Sequence, residues 1–210
     1  MGKEKIAKFF ARLSQADPTP ETELQFNNDF TLLVAVVLSA QATDSGVNKA
    51  TKALFEAADN PESMVALGEV KIRDTIKTIG LYRNKAKNVY ALSKQLLTDH
   101  KGQIPQTRDA LMTLAGVGRK TANVVMNVAF GQATFAVDTH VFRLANRTGL
   151  AIGHNVLEVE KGLEARVPEP YRLHAHHWLI LHGRYICLAR KPKCALCPVA
   201  NLCNYTSKEK

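Results

Sequence analysis

The sequence predicts an all-α fold, and three observations support this. Apolar residues recur at helical spacing along nearly the whole chain of 210 residues. No segment of useful length alternates apolar and polar residues as a half-buried strand does. N-capping residues and glycines stand where helices of moderate length would begin and end. We therefore expect many short helices joined by short turns.

The first apolar run, Phe30–Leu38, has a length that suits either a buried strand or a buried helix. We predict a helix, because the run continues to Ala42 without a turn signal and the sequence offers no partner strand. Thr43 is a good N-cap for the next helix. Further apolar stripes comprise Val47, Ala50, Leu54, Phe55 and Ala58, then Ile72, Ile76 and Ile79, then Ala86, Val89, Ser93 and Leu96.

The second half of the chain carries clear helix boundaries. A short helix from about Thr107 should precede a longer one that ends at Gly131, and Gly149 should end the helix after it. Asn155 and Glu158 have the spacing of a capping box at the start of another helix.

The composition favours a soluble protein with an acidic partner. The formal net charge is +9, and 46% of the residues are hydrophobic. A net positive charge of this size favours a polyanionic binding partner, usually nucleic acid. No apolar run approaches the ~20 residues of a membrane span, and the N-terminal residues lack a secretory pattern. We expect a cytoplasmic, nucleoid-associated protein of bacterial type with no membrane partner.

Two glycines, Gly116 and Gly118, flank Val117 in the segment Leu114–Gly118, which we call the glycine turn. Glycines at this spacing let the backbone turn sharply while the valine points into the core. Free N–H groups of such a turn, together with the N-terminus of the next helix, form an anion site suited to a DNA phosphate. A plain corner between two helices is the alternative. We favour DNA binding because the pattern is long and is followed by two cations.

Those cations, Arg119 and Lys120, begin a helix, where positive charge opposes the helix dipole at a cost of ~0.3–1 kcal/mol each. Departures from local rules are most frequent at functional sites. The dipole disfavours the protonated lysine, and a neutral lysine amine can attack a sugar C1′ to give a Schiff base. The alternative is that both cations only bind phosphate, which is sufficient for Arg119.

Asp138 is placed as the N-cap of the next helix, a common structural role. The same geometry keeps the carboxylate ionised, so that it could stabilise an oxocarbenium ion or accept a proton. Its separation from Lys120 by one helix favours a functional pair. We interpret His140 as structural or as a phosphate contact.

Four cysteines, all near the C-terminus, have the spacing C-x6-C-x2-C-x5-C at Cys187, Cys194, Cys197 and Cys203. Such a set can hold zinc or a [4Fe–4S] cluster. The single compact segment favours the cluster, since structural zinc usually joins two separate knuckles. Between the first two cysteines, Arg190, Lys191 and Lys193 form a basic loop that could meet DNA phosphates. Four histidines at 174, 176, 177 and 182 are interpreted as core or solvated residues rather than a zinc site.

Taken together, these motifs resemble the endonuclease III family of helix-hairpin-helix DNA glycosylase/AP lyases. The resemblance extends from about Glu21 to Cys203. Besides the motifs above, it includes the segments Leu38–Asp44, Ile79–Tyr82 and His177–Arg184.

The family resemblance implies a two-lobed fold. One lobe is a six-helix barrel at 22–132, with the helix-hairpin-helix at about 107–130. The other joins 1–21 to 133–210 and carries the [4Fe–4S] cluster in the loop 187–203. DNA would bind between the lobes, with a damaged pyrimidine flipped into a pocket.

The resemblance also assigns roles to residues. Lys120 would be the Schiff-base nucleophile and Asp138 the family's carboxylate, while Gln41 would fill the gap left by the flipped base and Leu81 would wedge from the other side. The remaining DNA contacts would be Gly116, Gly118, Arg119, His140, Arg143, Arg190, Lys191 and Lys193.

The implied function is a bifunctional repair enzyme, acting as a monomer on double-stranded DNA with damaged bases or abasic sites. It would cleave the N-glycosidic bond of oxidised pyrimidines and then nick 3′ to the abasic sugar by β-elimination. The alternatives are a monofunctional glycosylase, such as the adenine glycosylases of the superfamily, and a non-catalytic helix-hairpin-helix module. Lys120 argues against the adenine glycosylases, which lack a lysine there.

Overall fold

The computed structural model describes residues 1–206, and this part of the chain is helical without a strand, as predicted. Its α-helices are α1 (Lys3–Ala16), α2 (Asp29–Ser39), α3 (Asp44–Ala57), α4 (Pro61–Leu67), α5 (Glu69–Thr75), α6 (Tyr82–His100), α7 (Arg108–Met112), α8 (Arg119–Phe130), α9 (Thr139–Thr148), α10 (Val156–Arg166) and α11 (Arg172–Tyr185). Short 3₁₀ helices occupy Glu169–Tyr171, Cys194–Leu196 and Ala200–Leu202. No helix among the described residues is long and apolar enough to cross a membrane.

Helix α2 confirms the choice of a helix over a strand for the first apolar run. Its residues from Phe30 to Leu38 are all buried, so the helix is apolar on every side, as expected of a central helix. Asn28 begins it with a capping box in which its side chain accepts from the Thr31 N–H. Thr43 caps α3 as predicted, accepting from the Gly46 N–H.

The chain divides into two compact units. The first runs from Thr22 to Gly131 and contains α2 to α8. In it, α2 contacts α3, α6 and α8, while α7 packs against α8 and α5 packs against α6. The second unit combines Met1–Glu21 with the described residues from Gln132 onward and contains α1 and α9 to α11.

The core of the second unit is built around aromatic side chains. Phe10 of α1 stacks on Tyr171 and lies beside Trp178 of α11. The Trp178 indole N–H donates to the Asp17 carbonyl at 2.7 Å, which fixes the end of α1. Packing of α9 against α10 and α11 completes this core.

Candidate functional site

Helices α7 and α8 meet at the glycine turn. Val117 is buried there, as predicted, and its N–H donates to the Leu114 carbonyl at 3.1 Å. Helix α8 follows Gly118, and no side-chain hydrogen bond caps its N-terminus. Because the N-cap is a glycine, it has no side chain to accept from the first N–H groups of α8, an arrangement that suits a bound anion.

The two glycines of the turn differ in backbone conformation and in the space around them. Gly116 has φ 77°, and a Cβ there would lie 2.8 Å from the Asn88 side-chain nitrogen. Gly118 has φ −95°, and a Cβ there would meet nothing within 4 Å. The first glycine is thus required by the fold, whereas the second leaves open space in front of the α8 N-terminus.

We expect Gly116→Ala to lower the free energy of unfolding by at least ~1 kcal/mol, because it combines left-handed strain with the Asn88 clash. The matched change Gly118→Ala should leave stability nearly unchanged, since its backbone and surroundings accept a methyl group. Urea unfolding of both variants checks this, and equal destabilisation would contradict it.

Lys120 is the second residue of α8, and its side chain is exposed, while the neighbouring Arg119 is half-buried. A different lysine, Lys85 in the first turns of α6, is only 4% exposed, and its Nζ has no hydrogen-bond partner among the described residues. Burial lowers the pKa of Lys85. Sequence analysis did not single out this amine, because the burial of a side chain is a property of the folded chain.

Gln41 and Leu81 lie in two turns that the fold brings together. Both are exposed and have positive φ, 54° and 58° respectively. A Cβ on Gly80 would lie 3.8 Å from the Gln41 carbonyl oxygen, so the two turns lie close together. Two non-glycine residues held in the left-handed region are uncommon, and such strain is concentrated at functional sites.

In the second unit, Asp138 caps α9 as predicted. Its Oδ1 accepts from the His140 and Val141 N–H groups at 2.9 and 2.8 Å. Its Oδ2 lies 3.1 Å from the His140 Nδ1, and 17% of the Asp138 side chain is exposed. The carboxylate therefore sits at the positive end of the α9 dipole, which favours its charged form.

Helix α9 also carries two arginines with internal hydrogen bonds. Arg143, predicted to contact DNA, donates to the carbonyls of Gly183 and Cys187, at 2.6 and 2.9 Å. Arg147, which the sequence did not single out, donates to the carbonyls of Leu188 and Ala189 at 2.6 and 2.7 Å. These guanidinium groups hold the backbone at the start of the cysteine segment, a role that only the folded chain shows.

The four cysteines line one cavity with apolar side chains that include Leu144 and Val199. Polar groups approach two of the sulfurs: the Tyr205 N–H donates to Cys203 Sγ at 3.4 Å, and His182 Nε2 lies 3.4 Å from Cys197 Sγ. Burial lowers the pKa of His182 to about 4, so this imidazole is neutral at physiological pH. Four thiols around one apolar cavity with nearby donors fit a cluster ligated by cysteine.

The basic loop between the first two cysteines presents exposed side chains at Arg190, Lys191 and Lys193. Pro192 is buried between them, and the Lys193 N–H donates to the Ile186 carbonyl at 2.9 Å. Lys191 has φ 49°. The loop is thus anchored by its backbone while its cations face solvent, as a phosphate-binding loop requires.

Two family models match the chain. Residues 34–169 match the HhH-GPD superfamily base excision DNA repair protein, and residues 187–203 match the iron-sulfur binding domain of endonuclease III. The second match covers all four cysteines and favours the iron-sulfur cluster over zinc.

Curated relatives and solved structures agree with these models. Endonuclease III of Haemophilus influenzae and that of Escherichia coli K12 are each 52% identical to the chain over 208 residues, 99% of both chains. A non-covalent endonuclease III–DNA complex matches with a TM-score of 0.90 and 44% identity, covering 97% of this chain and 96% of that one. A trapped covalent endonuclease III–DNA intermediate matches equally well in TM-score, at 45% identity and the same coverage.

Proposed function

The chain belongs to the endonuclease III family of base-excision DNA glycosylases with a [4Fe–4S] cluster, and we propose that it removes oxidised pyrimidines from duplex DNA and nicks the resulting abasic site. The observation that carries the proposal is the exposed Lys120 in the first turn of α8, directly after the glycine turn. A DNA phosphate at this turn would bring the damaged nucleotide to the amine.

In the proposed reaction, the lone pair of the Lys120 Nζ attacks C1′ of the damaged nucleotide, and the bond from C1′ to the base breaks. The base leaves with the bonding electron pair and takes up a proton. The sugar ring then opens to a Schiff base, which acidifies the proton on C2′. Loss of that proton expels the 3′ phosphate by β-elimination, and hydrolysis of the Schiff base frees the lysine.

Asp138 supplies the negative charge in this scheme. Its carboxylate would stabilise the positive charge that develops on the sugar as the base departs, and it would accept a proton from the attacking amine. The two N–H bonds from His140 and Val141 hold the carboxylate in place. Oδ2 lies 3.1 Å from the His140 Nδ1, so the ring also helps to orient the carboxylate.

The remaining contacts position the DNA. Gly116, Gly118 and Arg119 would bind one phosphate, and Gln41 and Leu81 would enter the stack where the base leaves it. His140 and the basic loop would contact further phosphates. Arg143 would reach DNA only with the part of its guanidinium that its two carbonyl partners leave available. The partner is double-stranded DNA with damaged bases or abasic sites, bound by a monomer in the cytoplasm.

Removing the three cations of the basic loop, by Arg190, Lys191 and Lys193 to Ala, is expected to weaken DNA binding. Each lost phosphate contact should reduce the slope of log K against log salt by about 1. Titration of an abasic-analogue duplex at several salt concentrations measures this. A slope equal to that of the wild type would show that the loop only holds the cluster.

The experiment that tests the proposed function is a panel of duplexes, each with one oxidised pyrimidine or an undamaged control, with base release and strand scission scored separately. We expect both products from oxidised pyrimidines and neither from the control. Base release without scission would indicate a monofunctional glycosylase. Tight binding without either product would indicate a non-catalytic module.

A further inference from the structure

We propose that Gln95, on α6, is a positioning residue that fixes the glycine turn and thereby the start of α8. The proposal rests on the function assigned above to Lys120, which lies two residues beyond the turn. Gln95 itself is half-buried and is assigned no contact with DNA.

The amide of Gln95 binds the turn at two points. Its Nε2 donates to the Thr113 carbonyl at 3.1 Å, and its Oε1 accepts from the Ala115 N–H at 2.8 Å. These two backbone groups flank Leu114, whose side chain is 2% exposed in the core. The amide of Gln95 therefore binds the carbonyl on one side of Leu114 and the N–H on the other.

A second residue of α6 supports the same turn. Asn88 lies seven residues before Gln95, so the two share one face of the helix. The Asn88 side chain lies so close to Gly116 that a Cβ there would be 2.8 to 3.0 Å from three of its atoms. The backbone at 113, 115 and 116 thus rests on two side chains of α6.

This support matters because α8 has no side-chain cap of its own. The direction in which its first turn points is set by the preceding backbone, and Gln95 fixes that backbone. Catalytic groups must be held to within a fraction of an ångström, and a displacement of ~1 Å can reduce a rate ~10²-fold. A hydrogen-bonding side chain beneath the turn therefore controls both phosphate binding and the placement of the amine.

The test compares Gln95→Met, which keeps the length of the side chain and loses both bonds, with Thr98→Met. Thr98 is exposed on α6, and its hydroxyl donates to the Gln95 carbonyl and the Asp99 carboxylate, at 3.3 and 2.8 Å. Both changes are uncharged and introduce the same residue into the same helix. Asn88→Ala serves as a second, independent variant.

The measurement is the single-turnover rate constant for borohydride trapping on an abasic duplex, at saturating protein and well below the melting temperature. We expect Gln95→Met to lower this constant about tenfold and Asn88→Ala to lower it several-fold. Thr98→Met should match the wild type. The salt slope for binding an abasic-analogue duplex should also fall for Gln95→Met, by up to about 1.

Trapping and salt slopes equal to those of Thr98→Met would overturn the inference, whatever happens to the melting temperature. A purely structural role lowers the melting temperature without changing the rate per folded molecule. Failure of the wild type to be trapped would instead reject the assigned role of Lys120, so the two failures are distinguishable.

Discussion

Lys120→Ala is expected to abolish covalent trapping on abasic DNA while leaving DNA affinity within a few-fold of the wild type. The lysine would supply the only atom that bonds to C1′, so its removal should lower trapping and scission by at least ~10³-fold. Binding should persist because the glycine turn and the basic loop contact phosphates without it. Gel analysis of borohydride-reduced mixtures and a separate binding titration measure the two effects.

Lys161→Ala is the matched control, since Lys161 is exposed on α10 and the substitution removes the same charge. Persistent trapping of Lys120→Ala would mean that another amine reacts. Among the other lysines, Lys85 has a pKa that burial lowers, and a lower pKa favours the neutral, nucleophilic amine. Its 4% exposure, however, keeps a sugar from reaching it.

Asp138→Asn is expected to reduce base release and scission ~10²–10⁴-fold with little loss of stability. Asparagine is as good an N-cap as aspartate, so the bonds from His140 and Val141 can be kept while the charge is lost. The fall in rate would then measure what the charge of Asp138 contributes through electrostatic stabilisation and proton acceptance, separately from its contribution as an N-cap. Single-turnover assays and urea unfolding of the same preparations measure the two quantities.

Asp138→Ala provides the complementary control. It should lose the activity and, in addition, ~1 kcal/mol of stability through loss of the cap. An Asp138→Asn variant with near wild-type activity would reduce Asp138 to a capping residue. Equal stability of the two variants would mean that the cap contributes little to α9.

Local signals allowed much of the fold to be predicted. Helix α2 was predicted because its apolar run continues without a turn signal and has no partner strand, and the caps at Thr43 and Asp138 followed from residue type and position. The four cysteines were recognisable as one metal segment because their spacing is compact. Such features depend on neighbours in sequence, where periodicity and capping chemistry are informative.

The contacts that depend on distant segments could not be predicted. Arg143 and Arg147 bind carbonyls about forty residues away, and an arginine in a basic protein gave no sign of that role. Gln95 reaches a backbone N–H twenty residues away, and a single glutamine within a helix has no distinctive sequence pattern. The burial of the Lys85 amine could not be predicted from the sequence either, since burial is a property of the assembled core.

The most direct test of the central claim is to map the lysine that becomes covalently bound to DNA. The wild-type protein would be reduced with borohydride on an abasic duplex, digested with nuclease and protease, and sequenced by mass spectrometry. The account predicts a sugar remnant on Lys120, in the peptide that begins α8. A remnant on any other lysine, or on the N-terminal amine, would contradict it.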